Sequence, residues 1–282
     1  MTLVRRHLVA VVSIVLALAT GIALGAGPLS RQTLVPTTAE PTRSAPPAAE
    51  SADDLAESLT PSVVRDRLDG KWVTVLSTPG APTETVDGLV AAVEQAGGAV
   101  SAHWRVGESL VGPGETALVD TLGEQLLEQV GDGLADPDAP PYERMGQLLG
   151  AAVATRGADA QVVEQDATTV RQSLDAASLL TTDAETPRAA PLVLVVLGDD
   201  VEDAVVEGLT TGLADRARRV VVTSEQRPGD LAALDEEQLV STVDGADGPA
   251  GRLTAVLALA DTVEDPPGSY GASGSDGVLP LG

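Results

Sequence analysis

Two short runs, Trp72 to Ser77 (WVTVLS) and Leu192 to Leu197 (LVLVVL), are continuous in β-branched and aliphatic residues. A strand with only one buried face alternates apolar and polar residues. An unbroken run is the pattern of a strand covered on both faces. Each run ends in a turn, Thr78-Pro79-Gly80 in one case and Gly198-Asp199-Asp200 in the other. Helical periodicity follows over Glu84 to Gln95 and Val201 to Ala214, and then second strands over Val100 to Val106 and Val220 to Thr223. The chain thus repeats a βαβ plan. The two copies share a local pattern, Thr85-Val86-Asp87-Gly88-Leu89 and Val205-Val206-Glu207-Gly208-Leu209, in which the glycine is expected to let a helix approach its sheet closely. The predicted fold class is α/β, an open, mostly parallel sheet built from βαβ units with added helices.

The added helices are expected at Glu115 to Val130, Tyr142 to Ala154 and Gln161 to Leu180. The last carries Val163, Ala167, Val170, Leu174 and Ala177 at alternating spacings of four and three, one face of a helix. A further strand is expected at Leu239 to Val243 and a final helix at Arg252 to Ala260.

Ahead of this domain, Arg5, Arg6 and His7 precede an uncharged stretch, Leu8 to Gly25, rich in Leu, Val, Ile and Ala. That length is close to the minimum for a helix that crosses a bilayer. Both arginines lie before it, so the N-terminus is expected in the cytoplasm and everything after Gly27 outside. A cleaved signal peptide is the alternative, because Ala23-Leu24-Gly25 offers small residues at the needed spacing. Export holds in both cases. The expected layout is a cytoplasmic N-terminus and membrane helix or signal anchor at 1–27, a Pro/Ala/Thr-rich linker at 28–52, an extracytoplasmic α/β domain at 53–263, and a disordered Gly/Ser/Pro tail at 264–282.

Composition narrows the function classes. With 42 acidic and 17 basic residues the formal charge is −25. Nucleic acid is therefore an unsuitable partner, and anionic lipid headgroups would repel the chain. Cysteine is absent, and Met145 is the only methionine beyond the start residue, so a thiol or thioether copper site cannot be built. No phosphate loop follows either strand: Gly80 stands without GxGxxG or GxxxxGK[ST], and Lys71 is the only lysine.

In open parallel sheets, ligands bind beyond the carboxyl ends of the strands, so the loops at 78–80 and 198–200 are where a site is expected. The acidic residues there, Asp199, Asp200, Glu202 and Asp203, with Glu225 at the end of the next strand, could hold a hard cation. Asp199, Asp200 and Glu225 are the candidate metal ligands. The competing reading makes Asp200 a helix N-cap and the others first-turn charges stabilised by the helix dipole. His103 alternates with Trp104 on a strand and falls on the polar face, solvated. No Ser/His/Asp set is legible, and no catalytic residue or resident cofactor is assigned. Asp235-Glu236-Glu237 reads as a solvated helix start.

Several stretches carry a resemblance. They are Arg5-Arg6-His7-Leu8 with Leu16 to Gly25, Val73 to Ala81, Val86 to Ala99, Val243-Asp244 with Ala250 to Ala260, and Tyr270-Gly271 in a Gly-rich tail ending Leu279-Pro280. Together they resemble the actinobacterial copper transporter family of MctB-like channel proteins. The resemblance spans nearly the whole chain. It implies a pore-forming envelope protein that removes copper and limits its accumulation, copper being the transported ion, with an outer-membrane location for mycobacterial members. It carries over no functional residue, because the matching motifs are structural. Similar proteins continue from the membrane helix into a charged coiled coil, whereas here Pro36, Pro41, Pro46 and Pro47 interrupt that region, so a long helical stalk is not expected.

The residues themselves argue against a transmembrane β-barrel from one chain, since the strands are few, non-alternating and separated by helices. A single helix lines a channel only as a homo-oligomer, and Leu8 to Gly25 lacks a polar face. The expected function is copper homeostasis in the cell envelope, without enzymatic activity. The rival is a membrane-tethered α/β scaffold or regulator of cell-wall or division machinery, with an envelope protein as partner and no transport.

Overall fold

A computed structural model describes residues 60, 62–131, 133–199, 201–225, 231, 234, 239–261 and 265–280. One compact unit runs from Val64 to Pro280. The expected membrane helix and linker lie outside the described residues, as do Asp200 and Asp235-Glu236-Glu237. Among the described residues no helix is long and apolar enough to cross a membrane.

The sheet has seven strands: β1 (Trp72–Ser77), β2 (Ala99–Val106), β3 (Leu180–Thr182), β4 (Leu192–Val196), β5 (Arg219–Thr223), β6 (Ser241–Val243) and β7 (Ser269–Tyr270), in the spatial order β3-β2-β1-β4-β5-β6-β7. Every neighbouring pair is parallel except β2 with β3, which is antiparallel. The two apolar runs, β1 and β4, lie side by side at the centre, paired from Val73 with Leu192 to Ser77 with Val196. That is why neither alternates: both faces of each are covered.

Strand parity assigns the residues to the two faces. Leu76, Trp104, Val106, Val193, Val195, Val220 and Val222 belong to one core, shared with helices α3 (Thr116–Val130), α4 (Pro141–Val153), α5 (Gln165–Ala176) and α6 (Asp203–Ala214). The intervening residues, including Val75, Leu194 and Val221, face α1 (Thr83–Gln95) and α7 (Pro249–Ala260), which pack on each other. A one-turn helix, α2 (Glu108–Val111), follows β2. Both expected βαβ units are present, β1-α1-β2 and β4-α6-β5.

The third expected helix is shorter than its periodicity suggests. Gln161 instead forms an antiparallel bridge with Ala189, and Leu180 starts β3. Local spacing could not anticipate either pairing, since both partners are distant in sequence.

Residues 265–280, expected to be part of a disordered tail, are ordered. Helix α7 is apolar nearly all round, with Leu253 through Leu259 all buried, so it needs a cover on the side away from the sheet. The tail contributes to that cover: Thr254 donates its hydroxyl to the Val278 carbonyl (3.1 Å) and Leu279 is buried. It is pinned at Asp244, whose carboxylate accepts from the backbone N–H of Ala272 (2.6 Å) and Ser273 (2.7 Å) and from the Ser273 hydroxyl. Composition weighs only what the tail can bury by itself, and here the gain belongs to α7.

The helices α4 and α6 make the tightest contact. Gly146 and Gly150 on one face Gly208 and Gly212 on the other. A methyl group on Gly146 would lie 2.3 Å from the Leu209 carbonyl oxygen, and one on Gly212 2.2 Å from that of Glu143. The backbones touch directly, and the pairs Tyr142 with Gly208 and Gly146 with Leu209 show that the helices run in the same direction.

This crossing separates the two glycines that sequence comparison made equivalent. Neither serves helix-to-sheet approach as expected. A methyl on Gly88 would meet only the guanidinium of Arg252 (2.5 Å), the far end of a long side chain that can shift at the expense of its bonds to the Ala246 and Asp247 carbonyls, but on Gly208 it would meet Cβ of Tyr142 (2.7 Å) and the Glu143 amide nitrogen (3.2 Å). Gly88→Ala is therefore expected to be neutral or slightly stabilising, since alanine favours a helix by about 1 kcal/mol. Gly208→Ala and Gly212→Ala are expected to cost about 1–3 kcal/mol by overpacking. Urea denaturation, with lowered midpoints and unchanged slopes for the latter two, checks this.

Candidate functional site

The chain leaves β1 toward β2 on one side and later returns to β4 on the other, so the topological switch lies between the carboxyl ends of β1 and β4. The loops at 78–80 and 198–199 meet there, as the sequence predicts. The crevice between them is filled by backbone. The Thr78 amide donates to the Val196 carbonyl (3.0 Å), and the Gly198 amide donates to the Thr78 hydroxyl (2.8 Å). A side chain on Gly198 would lie 2.0 Å from the Pro79 carbonyl oxygen and 2.6 Å from the Ala81 nitrogen. The position where related architectures seat a ligand is occupied by the two loops themselves.

The helix N-termini beside this point do not select anions. α1 starts after Pro82 and α6 after Glu202, neither with a side-chain cap, and Glu84 and Asp203 place carboxylates in the first turns. The capping position expected at Asp200 falls to Glu202. Of the three candidate metal ligands, Asp199 and Glu225 follow the adjacent strands β4 and β5, and Asp200 lies outside the described residues. Glu225 accepts a hydrogen bond from the Thr85 hydroxyl at 3.3 Å, tying the end of β5 to the first turn of α1. Among the described residues no three His, Cys, Asp or Glu side chains come together as a metal site.

His103 lies on the face that strand alternation predicts, but it is half-buried rather than simply solvated. Its Nε2 is 2.8 Å from the Ser77 hydroxyl on the neighbouring strand. Burial, and then the Arg105 guanidinium, push its pKa below the usual histidine value, against the opposing pull of Asp87 and Asp183. The ring is therefore neutral at physiological pH. Ser77 is only 6% exposed, and among the described residues no carboxylate hydrogen-bonds the other ring nitrogen. The pair fastens β1 to β2 and lacks the orienting group and access that nucleophilic catalysis requires. Sequence reading missed this contact, although Ser77 and His103 share strand parity. Met145 is fully buried in the helical core and faces no site.

At the amino-terminal end of the sheet, Arg219 at the start of β5 is buried and donates to the Asp265 carbonyl (2.9 Å). Near it, Asp261 after α7 has its pKa raised to about 6, first by burial and then by Asp265, despite the attraction of Arg219 and Arg67. Burial raises the pKa of the Tyr270 hydroxyl as well, helped by Asp261, Asp276 and Asp265.

The family model described as "Copper transport outer membrane protein, MctB" matches residues 1–280. The copper transporters MctB of Mycobacterium bovis and of Mycobacterium tuberculosis are 27% identical over 293 aligned residues, covering 92% of each chain. Two of the stretches that carry this likeness meet in the fold, because Asp244 after β6 is held by the turn that begins at Gly271 after β7.

The Asp261 carboxyl holds its proton more tightly in the folded than in the unfolded chain. Folding stability associated with it is therefore fully present below about pH 4 and lost as pH rises through about 6. Asp261→Asn is expected to raise the melting temperature at pH 7–8 and to leave it unchanged near pH 4. Thermal unfolding across that range by circular dichroism checks the sign.

Proposed function

Because the chain belongs to the MctB family, we propose that it serves copper homeostasis in the cell envelope, as a membrane-tethered protein whose α/β domain lies outside the cytoplasm. The observation that carries this reading is the extent of the match. It runs over residues 1–280 and so takes in the hydrophobic segment, the linker and the whole sheet together. The relatives' names supply copper transport, and the family description supplies an outer membrane. For this chain the reading is copper efflux, with the N-terminal segments of several copies forming the passage and the domain organising them.

The domain is not expected to relay copper through soft ligands. The whole sequence has no cysteine, two methionines and two histidines. Met145 is enclosed in the core, and Nε2 of His103 is engaged by Ser77. Copper would be handled at the membrane or as a hydrated ion near carboxylates. The rival reading, a tethered scaffold or regulator of wall or division machinery, gains support from the filled crevice at the switch point, where enzymes of this architecture have a pocket.

A deletion strain separates the two. Loss of the gene should raise cellular copper and slow growth under copper stress. The full chain should restore both, and a form cleavable after Ser30 should fail once cut. Unchanged copper handling, accompanied by failed cell separation or sensitivity to wall-acting drugs, replaces transport with the scaffold. Planar-bilayer conductance of the full chain tests the channel itself.

A further inference from the structure

The end of the sheet opposite the switch point is open. The parallel helices α4 and α6 both finish there. Arg156, beyond α4, donates from Nε to the Asp215 carbonyl (2.6 Å) and from Nη2 to that of Ala214 (3.1 Å), capping the C-terminus of α6. Arg216 donates from Nη2 to the carbonyls of Gly133 and Leu134. The two guanidiniums line a common cleft of about 310 Å³. Leu134, Ala151, Val162, Val163, Ala167 and Ala189 give it apolar surface, and Glu164 and Asp215 also line it.

Two features of this cleft exceed what helix capping requires. First, neither guanidinium is in a salt bridge among the described residues, although Asp215 attracts Arg216, in a chain with 42 acidic residues and 17 basic ones. Arginines elsewhere do form such pairs, among them Arg105 with Asp183 and Arg144 with Asp120. The nearby Asp215 gives its carboxylate to the Gln147 amide (2.9 Å). Nη1 of both arginines and Nε of Arg216 are left without a protein acceptor among the described residues. Burial disfavours the charged form of Arg216, the Asp215 carboxylate opposes that, and the like charge of Arg156 adds to it. Second, Val162 is 79% exposed at the mouth of the apolar wall. It is held there by the reciprocal backbone bonds between Gln161 and Ala189 (2.9 Å each).

We propose that this cleft binds a small anionic amphiphile, an aliphatic carboxylate whose head bridges Arg156 and Arg216 and whose chain lies along Val162, Val163 and Ala167. The volume is at the small end of the range for ligand pockets, which fits a medium-length chain such as octanoate. A guanidinium presents parallel donors to a carboxylate, and the apolar wall removes the alkyl chain from water. The site is separate from the switch point and independent of copper.

Hydrogen exchange of the full chain in lipid nanodiscs provides a local readout that partition into the lipid does not mimic. Octanoate should slow exchange at 133–137, 155–163 and 214–217, and octylammonium should not. Val162→Glu, at a position too exposed to affect folding, should abolish that protection by placing a carboxylate at the mouth. Arg156→Gln should weaken binding by at least about tenfold. Equal protection by octylammonium, protection that survives Val162→Glu, or no protection at saturating octanoate each overturns the proposal. Copper accumulation in a Val162→Glu strain should stay normal, so failure here is distinct from failure of the transport reading.

Discussion

Direct backbone contact between α4 and α6 is the constraint on which most of the helical layer depends. Four glycines remove the side chains that would hold two helices apart, and the carbonyls of Glu143 and Leu209 occupy the freed space. Once α4 is seated on α6, its remaining surface is available to α3 and α5. Two arginines, Arg144 buried and Arg171 partly so, complete the attachment. Arg144 reaches from α4 to Asp120 on α3 and to the Pro137 carbonyl (2.8 Å). Arg171 on α5 donates to the Ala152 and Pro187 carbonyls and lies 5.2 Å from the ring centre of the fully buried Trp104. In a chain without phenylalanine, Trp104 is the largest side chain in that core, and a cation on its face adds to what burial gives. The same crossing brings both helix C-termini to one edge, which is how Arg156 and Arg216 come to share a cleft.

The two ends of the sheet have exchanged their usual roles. A doubly wound sheet ordinarily opens at the carboxyl end, where the chain reverses direction beside its first strand. Here Gly198 admits the backbone of 79–81, Thr78 locks both loops, and acidic residues flank the helix starts. An anion is repelled there and finds no gap. At the amino end, helix C-termini draw arginines by their negative dipole, and those arginines retain unused donors.

Much of the architecture was legible because it rests on local periodicity. The unbroken runs WVTVLS and LVLVVL announced the two central strands, and spacings of three and four announced the helices that follow them. The parity that put Trp104 inside and His103 on the opposite face was equally readable. The strand additions at the two edges were not. β3 and β7 are two or three residues long, and each exists only because a neighbouring strand offers it hydrogen bonds. The tail misled for the same reason, since its composition describes what it buries alone and not the exposed side of α7 that it covers.

The sequence by itself determined the class of the fold, the order of its elements, the lack of residues for a thiol or thioether copper site and the hydrophobic segment ahead of the domain. Those follow from residue type and short-range spacing, which act whatever the chain does elsewhere. Only the tertiary structure decided that Gly208 packs on a helix while its counterpart Gly88 faces a side chain, that Ser77 binds His103, that the switch point is filled, and that two arginines 60 residues apart line one cleft. Each of these depends on which distant backbone arrives opposite a given residue, and no local pattern encodes that distance.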